Sequence, residues 1–222
     1  MKIKLIILSL ILGIVITSSY LIYATTCEYN LSGNVIYIDA GHGGKDNGAS
    51  NGNINEDSIN FSISKLLVKK LIDLGAYVYT SRDGDYDLAS NYDKNRKAKD
   101  LKRRVELINF IKPDLFISIH MNTYISDEEV SGGQAFYQDN EKSKLLANIL
   151  QDKFNELSNK KKKAKSGDYY LLNKTKYIGV LLECGFLTND EELKKLSTLS
   201  YQSEIVENIV DGIGEYLSNK ML

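Results

Sequence analysis

Val35–Gly44, VIYIDAGHGG, is a short apolar run that stops at a histidine set between glycines. Val35, Ile36, Tyr37 and Ile38 are β-branched or aromatic and follow one another without alternation, the pattern of a strand covered on both faces. Gly41, Gly43 and Gly44 then let the backbone turn tightly and come close to another group. A second run, LFISIHMN (Leu115–Asn122), also ends in a histidine, and His42 and His120 are the only two in 222 residues. Ends of strands are where open α/β sheets build their sites. One histidine there reads as a hydrogen-bonded loop residue; a pair in the company of two glutamates reads as chemistry. Glu56 opens the helical segment after the glycine loop, and Glu183 ends a third strand-like run, YIGVLLECGF. His, Glu and His leave a fourth position open on a tetrahedral Zn²⁺, and a second glutamate beside the ion supplies a general base.

Outward from this stretch the chain alternates strands and helices. KDNGASNGNINED is too rich in Gly and Asn for regular structure. A helix follows in which Ile59, Ile63, Leu66, Leu67 and Leu71 recur at helical spacing, with Asn55 as N-cap and Gly75 as the stop. Ala76–Thr80 is a strand, so strand, helix and strand form a right-handed parallel crossover. Charged residues 81–99 read as loop, Asp100–Ile111 as helix ended by Pro113, and Leu115–Ile119 as the next buried strand. Gly132–Tyr137, Tyr169–Leu172 and Tyr177–Glu183 read as further strands. Glu141–Leu157, a short segment from Asp190, and Gln202–Leu217 read as helices. The fold class is α/β, a single domain over residues 35–219 preceded by a linker, 25–34.

Residues 1–24 read as a signal peptide or membrane anchor. Lys2 and Lys4 precede Leu5–Ala24, an apolar stretch long enough, at about 20 residues, to span a bilayer. The domain is therefore expected to be exported, to the outer face of the membrane or the cell wall. A net charge of −1, from 28 basic and 29 acidic residues, gives no footprint for nucleic acid. Cys27 lies in the linker and Cys184 in a buried strand end, so both read as unbridged. The run Lys160–Lys163, with Lys165 beyond it, reads as a solvated face ahead of a contact with an anionic polymer or lipid. Arg82 and Asn122, just past strand ends, are candidate substrate contacts.

IDAGHGGKDNGA, the glutamate of INED, TSRDGD, RVELIN with PDLFISIHMN, and LLECGFLTN run in order across nearly the whole domain. With them the chain resembles the zinc-dependent N-acetylmuramoyl-L-alanine amidases of bacterial cell walls. The resemblance implies a twisted, mostly parallel sheet flanked by helices. It also implies a Zn²⁺ cofactor on His42, Glu56 and His120, with Glu183 as catalytic carboxylate acting on the amide between N-acetylmuramic acid and L-alanine of peptidoglycan. RRVELIN, SGGQAFYQ, KKKAKSGDYYLL and ECGFLTNDEE look most like the germination-specific branch of endospore-forming bacteria, which acts on the spore cortex before muramic δ-lactam forms. Met121 and Ser81 are small departures that put no ligand in doubt. The expected partners are peptidoglycan, an accessory protein for placement or metal retention, and the membrane if the N-terminal segment is retained. A zinc peptidase cutting within the stem peptide is the alternative enzyme. A non-catalytic wall-binding protein is disfavoured by the presence of all four site residues.

Overall fold

The computed structural model describes residues 29–219. Apolar runs become a central sheet: β1 (Val35–Ala40), β4 (Tyr77–Thr80), β5 (Leu115–Asn122), β6 (Gln134–Tyr137), β7 (Lys165–Ser166) and β8 (Gly179–Phe186). Their order is β4-β1-β5-β8-β6-β7, with β4, β1, β5 and β8 parallel, β6 antiparallel to β8, and β7 parallel to β6. The helices are α1 (Glu56–Asp73), α2 (Arg96–Ile111), α3 (Glu141–Ser158), α4 (Tyr170–Lys174), α5 (Asp190–Leu196) and α6 (Leu199–Asn219). Inside the glycine-rich loop, β2 (Ser50–Asn51) and β3 (Ile54–Asn55) form a small separate hairpin.

Register decides which side chains share a face, because it pairs Tyr37 with Phe116, Asp39 with Ser118, Ser118 with Leu181 and His120 with Glu183. Tyr37, Phe116 and Leu181 therefore meet Val105 and Ile108 of α2 and Leu171 and Leu172 of α4 in one core layer. The same face, followed toward the strand ends, carries Asp39, Ser118, His120 and Glu183. Ile36, Ile38, Ile117, Ile119, Val180 and Leu182 are all buried on the opposite face. There α1 lies over Ile38 and Ala40, and α6 presents the stripe Ile205, Val206, Ile209, Val210, Ile213 and Leu217.

Several elements differ from the expectation. Tyr169–Leu172 is not a strand: Tyr169 precedes α4, a short helix that buries two consecutive leucines, Leu171 and Leu172, which a strand would send to opposite faces. Helix α2 starts a turn before Asp100, at Arg96, where the Asn95 side chain accepts the Ala98 N–H. Strand β8 runs on past Glu183 to Phe186, paired with Asn122 across a bulge. Asn55 stands at the N-cap of α1, but its side chain accepts Ser50 Oγ instead of a helix N–H. Within the expected linker, Leu31 is buried and donates its N–H to Leu74 O, so packing begins there. Cys184 is free and buried, and burial pushes its thiol up. Residues 1–24 and Cys27 lie outside the described residues, among which no helix is long and apolar enough to cross a membrane.

A charged cluster lies between the sheet and α2. Arg104, 2% exposed, donates to Asp39 Oδ1 at 2.6 Å and Asp100 Oδ2 at 2.8 Å, and to Ala40 O and His42 O at 2.7 Å each. Asp39 Oδ2 accepts Ser118 Oγ at 2.7 Å, which ties β1 to β5 beside the first glycine of the loop. Burial alone would raise the Asp39 carboxyl, but Arg104 and Ser118 hold it below the usual range. Its contribution to stability is thus complete above the unfolded-state pKa, about 4, and is lost as the pH falls through the lower folded-state value. Removing the guanidinium strands a buried carboxylate, so Arg104→Met is expected to cost about 3–5 kcal/mol at neutral pH. Urea unfolding should show that deficit narrowing in acid, where Asp39 is protonated.

Candidate metal centre

The loop after β1 is shaped by backbone that side chains rarely adopt. His42 has φ +60°, followed by Gly43 at +127° and Gly44 at +63°, and Gly43 and Asp46 exchange backbone hydrogen bonds of 2.9 and 3.1 Å that close the turn. At Gly41 the need is space: a Cβ there would collide with the His120 ring. Arginine donors hold the loop from behind. Besides Arg104 on His42 O, Arg82 donates Nε to Ala40 O at 3.1 Å and Nη2 to Gly41 O at 3.3 Å and Asp57 O at 2.7 Å.

Glu56 is the first residue of α1, where a carboxylate is favoured by the helix dipole, and it is 4% exposed. Its Oε1 lies 3.0 Å from His120 Nδ1 and 3.3 Å from His42 Nε2, and also accepts the Met121 N–H at 3.2 Å. Oε2 accepts the Ala49 N–H at 2.9 Å. One ligand atom from each of His42, Glu56 and His120 falls within 4.8 Å of the others. Donors about 2.0–2.1 Å from a tetrahedral ion stand about 3.4 Å apart, so the observed separations and the two-imidazole, one-carboxylate set fit a small divalent metal.

Two features beyond the three donors complete the fit. Asp46 Oδ2 lies 2.9 Å from His42 Nδ1, leaving Nε2 to face Glu56 and orienting the ring as carboxylate partners of metal-bound histidines do. Burial would lower the His42 imidazole, but Glu56 and Asp46 outweigh it and raise it to about 9. Burial opposes ionisation of Glu56 too, and the two imidazoles reverse this and push its carboxyl well down. The cluster is thus built to hold positive charge between the rings. Glu183 stands beside His120 on the neighbouring strand, 8% exposed, with Oε2 buried and without a hydrogen-bond partner. Burial raises its carboxyl. The Tyr169 hydroxyl adjoins it and is itself pushed up to about 12 by burial and by Glu183.

The structure brings His42, Glu56, His120 and Glu183 together. Arg82 is 3% exposed, and its guanidinium is taken up by carbonyls of Ala40, Gly41, Asp57 and Gly84. Asn122 ends β5 two residues beyond His120 and lines an adjoining groove. Asp46 and Tyr169 escape the sequence reading. An aspartate four residues after a loop histidine was the available signal for the first.

Residues 36–215 match the N-acetylmuramoyl-L-alanine amidase family. The chain belongs to this family. It is 40% identical over 200 residues to the germination-specific N-acetylmuramoyl-L-alanine amidase of Bacillus subtilis (strain 168), which covers 86% of this chain and 82% of that protein. Among solved structures, the CwlD amidase from Clostridioides difficile in complex with the GerS lipoprotein is similar at TM-score 0.80 and 34% identity, over 83% of this chain and 98% of that one. An N-acetylmuramoyl-L-alanine amidase from Clostridium difficile 630 is similar at TM-score 0.76 and 29% identity, over 86% and 99%. The α/β fold and the amidase activity expected from the residues are those of this family.

If Asp46 orients His42 for a metal, Asp46→Ala should weaken Zn²⁺ binding by about 10–100-fold with little change in folding. Competition titration against a chelator reads the affinity, and His42→Ala or His120→Ala should abolish it.

Proposed function

We propose that this amidase holds Zn²⁺ on His42, Glu56 and His120 and hydrolyses the amide joining the lactyl carbonyl of N-acetylmuramic acid to L-alanine in peptidoglycan. The observation that carries this reading is the unpartnered Oε2 of Glu183, on the strand beside His120, next to a two-imidazole, one-carboxylate donor set. Zn²⁺ bound there would acidify a water and polarise the scissile carbonyl. Glu183 does the proton work. Its raised carboxyl holds a proton more readily than an exposed glutamate, so it accepts one from the attacking water at Oε2 and delivers it to the alanine nitrogen as the C–N bond breaks. His42 and His120 keep their rings fixed through Asp46 and Glu56, and the Tyr169 hydroxyl orients the Glu183 carboxylate.

The likeness to the germination-specific enzyme supports the spore cortex as substrate, with stem-peptide removal preparing muramic acid for δ-lactam formation. The apolar segment at residues 1–24 supports export to the outer face of the membrane or the cortex. The similar CwlD amidase was solved with a lipoprotein, which supports an accessory partner that places this amidase or helps it keep its metal.

The deciding experiment is mass spectrometry of purified peptidoglycan after treatment with the Zn²⁺-loaded protein and with Glu183→Gln. The expected products are peptide-free muramic acid and new alanine amino termini, reduced by orders of magnitude in the variant while its zinc content stays at the wild-type level. Cleavage within the peptide would instead select the zinc-peptidase reading, and an active Gln variant would remove Glu183 from the proton transfer.

A further inference from the structure

The lysine run expected to be a solvated face is built into one wall of a groove. A cavity of about 590 Å³ is lined by Asn122, Phe136, Phe186 and the lysines Lys162, Lys163 and Lys165, with Asp127 as the one carboxylate among its lining residues. Two of its lining residues are neighbours of the reacting group's surroundings. Gln134, also on its wall, is the register partner of Glu183, and Phe136 packs edge-on at 5.1 Å against Tyr169, whose hydroxyl adjoins the Glu183 carboxylate. From there the groove runs across β6 toward the sheet edge at β7.

The segment bearing the lysines lacks helix or strand through Ala164, yet its backbone is held by side-chain amides. Asn155 accepts the Lys162 N–H at 3.0 Å and donates to Lys162 O at 2.8 Å. Gln134, 5% exposed, donates to Lys163 O at 2.7 Å and to Gln151 Oε1 at 2.8 Å. Lys162 Nζ donates to Gly132 O at 2.6 Å and lies 4.7 Å from the Phe186 ring, so this lysine braces the wall. Lys163 and Lys165 are exposed and form no ion pair among the described residues, although the edge strand fixes the backbone of the second. Holding like charges together on an ordered wall is unfavourable by itself, and an anionic occupant relieves it.

The direction of the chemistry says which part of the substrate lies here. Resting on the amidase reading above, Glu183 must pass its proton to the leaving nitrogen, so the peptide departs on the Glu183 side, where the groove opens. We propose that this groove is the subsite for the leaving peptide, and that Lys163 and Lys165 select acidic peptides through their carboxylates.

The test uses N-acetylmuramoyl peptides in two forms, with free side-chain and terminal carboxylates or with the same groups converted to carboxamides. The Zn²⁺-loaded wild type should favour the free-carboxylate form in kcat/KM by about fivefold, mainly through KM, as expected for two partly exposed ion pairs. In Lys163→Gln/Lys165→Gln the ratio should fall to about one, and added salt should erode the wild-type preference. A readout independent of turnover is titration of the free acidic peptide into Glu183→Gln, where the two lysine changes should weaken binding by a similar factor. A wild-type ratio near one, or a preference that survives in the double variant, overturns the groove assignment while leaving the amidase reading intact. Hydrolysis of neither form by the wild type overturns both.

Discussion

Three segments of the centre meet at the Glu56 carboxylate. Its two oxygens receive the loop after β1 through His42 and Ala49, the end of β5 through His120 and Met121, and the start of α1 through its own backbone. Three segments that are distant in sequence are thereby referred to one group. Burial opposes a charge there, and the surrounding N–H groups and imidazoles return more than burial takes, which is why the carboxyl is driven down despite its 4% exposure.

Behind that carboxylate, the positive-φ turn at His42 has to be held against its own preference. Two buried guanidiniums do this by saturating carbonyls: Arg82 takes Ala40, Gly41, Asp57 and Gly84, and Arg104 takes Ala40 and His42. The forked geometry matters, since a lysine offers a point charge and cannot reach several fixed carbonyls at once. Charge balance comes from Asp39 and Asp100 around Arg104. The arginines therefore hold the loop that carries His42 from behind, at the cost of a charged layer within the core.

Legibility in the sequence follows from how each group is specified. His42, His120 and Glu183 were readable because they sit at or near the ends of apolar runs, where strand periodicity marks the site edge of a sheet. Glu56 was readable as the start of a periodic helix, and the buried stripe of α6 likewise. Arg82 was not, because recognition of backbone carbonyls depends on where loops fold and leaves no pattern in side-chain order. Asp46 sits in an Asn- and Gly-rich loop where aspartate is ordinary. Tyr169 to Leu172 looked like a strand by composition, and packing of Leu171 and Leu172 into one core layer overrode that local preference. The lysine run is largely exposed, as its charge predicts, but the side-chain amides of Gln134 and Asn155 that order its backbone leave no pattern in the run itself.

The resemblance to the family gives the two glutamates different roles, Glu56 as ligand and Glu183 as proton carrier, and their surroundings differ in the same sense. Glu56 has both oxygens occupied by N–H groups and lies between two imidazoles, so its ionised form is favoured and it suits a ligand. Glu183 is the register partner of His120, yet it lies in an apolar strand with one oxygen unpartnered, and its neutral form is favoured by burial. Identical side chains in one cluster are thus driven in opposite directions by what surrounds them. Exchanging the two would need more than a shift of charge: Glu183 lies among apolar strand residues with Oε2 unpartnered, whereas Glu56 is anchored by the Ala49 and Met121 N–H groups.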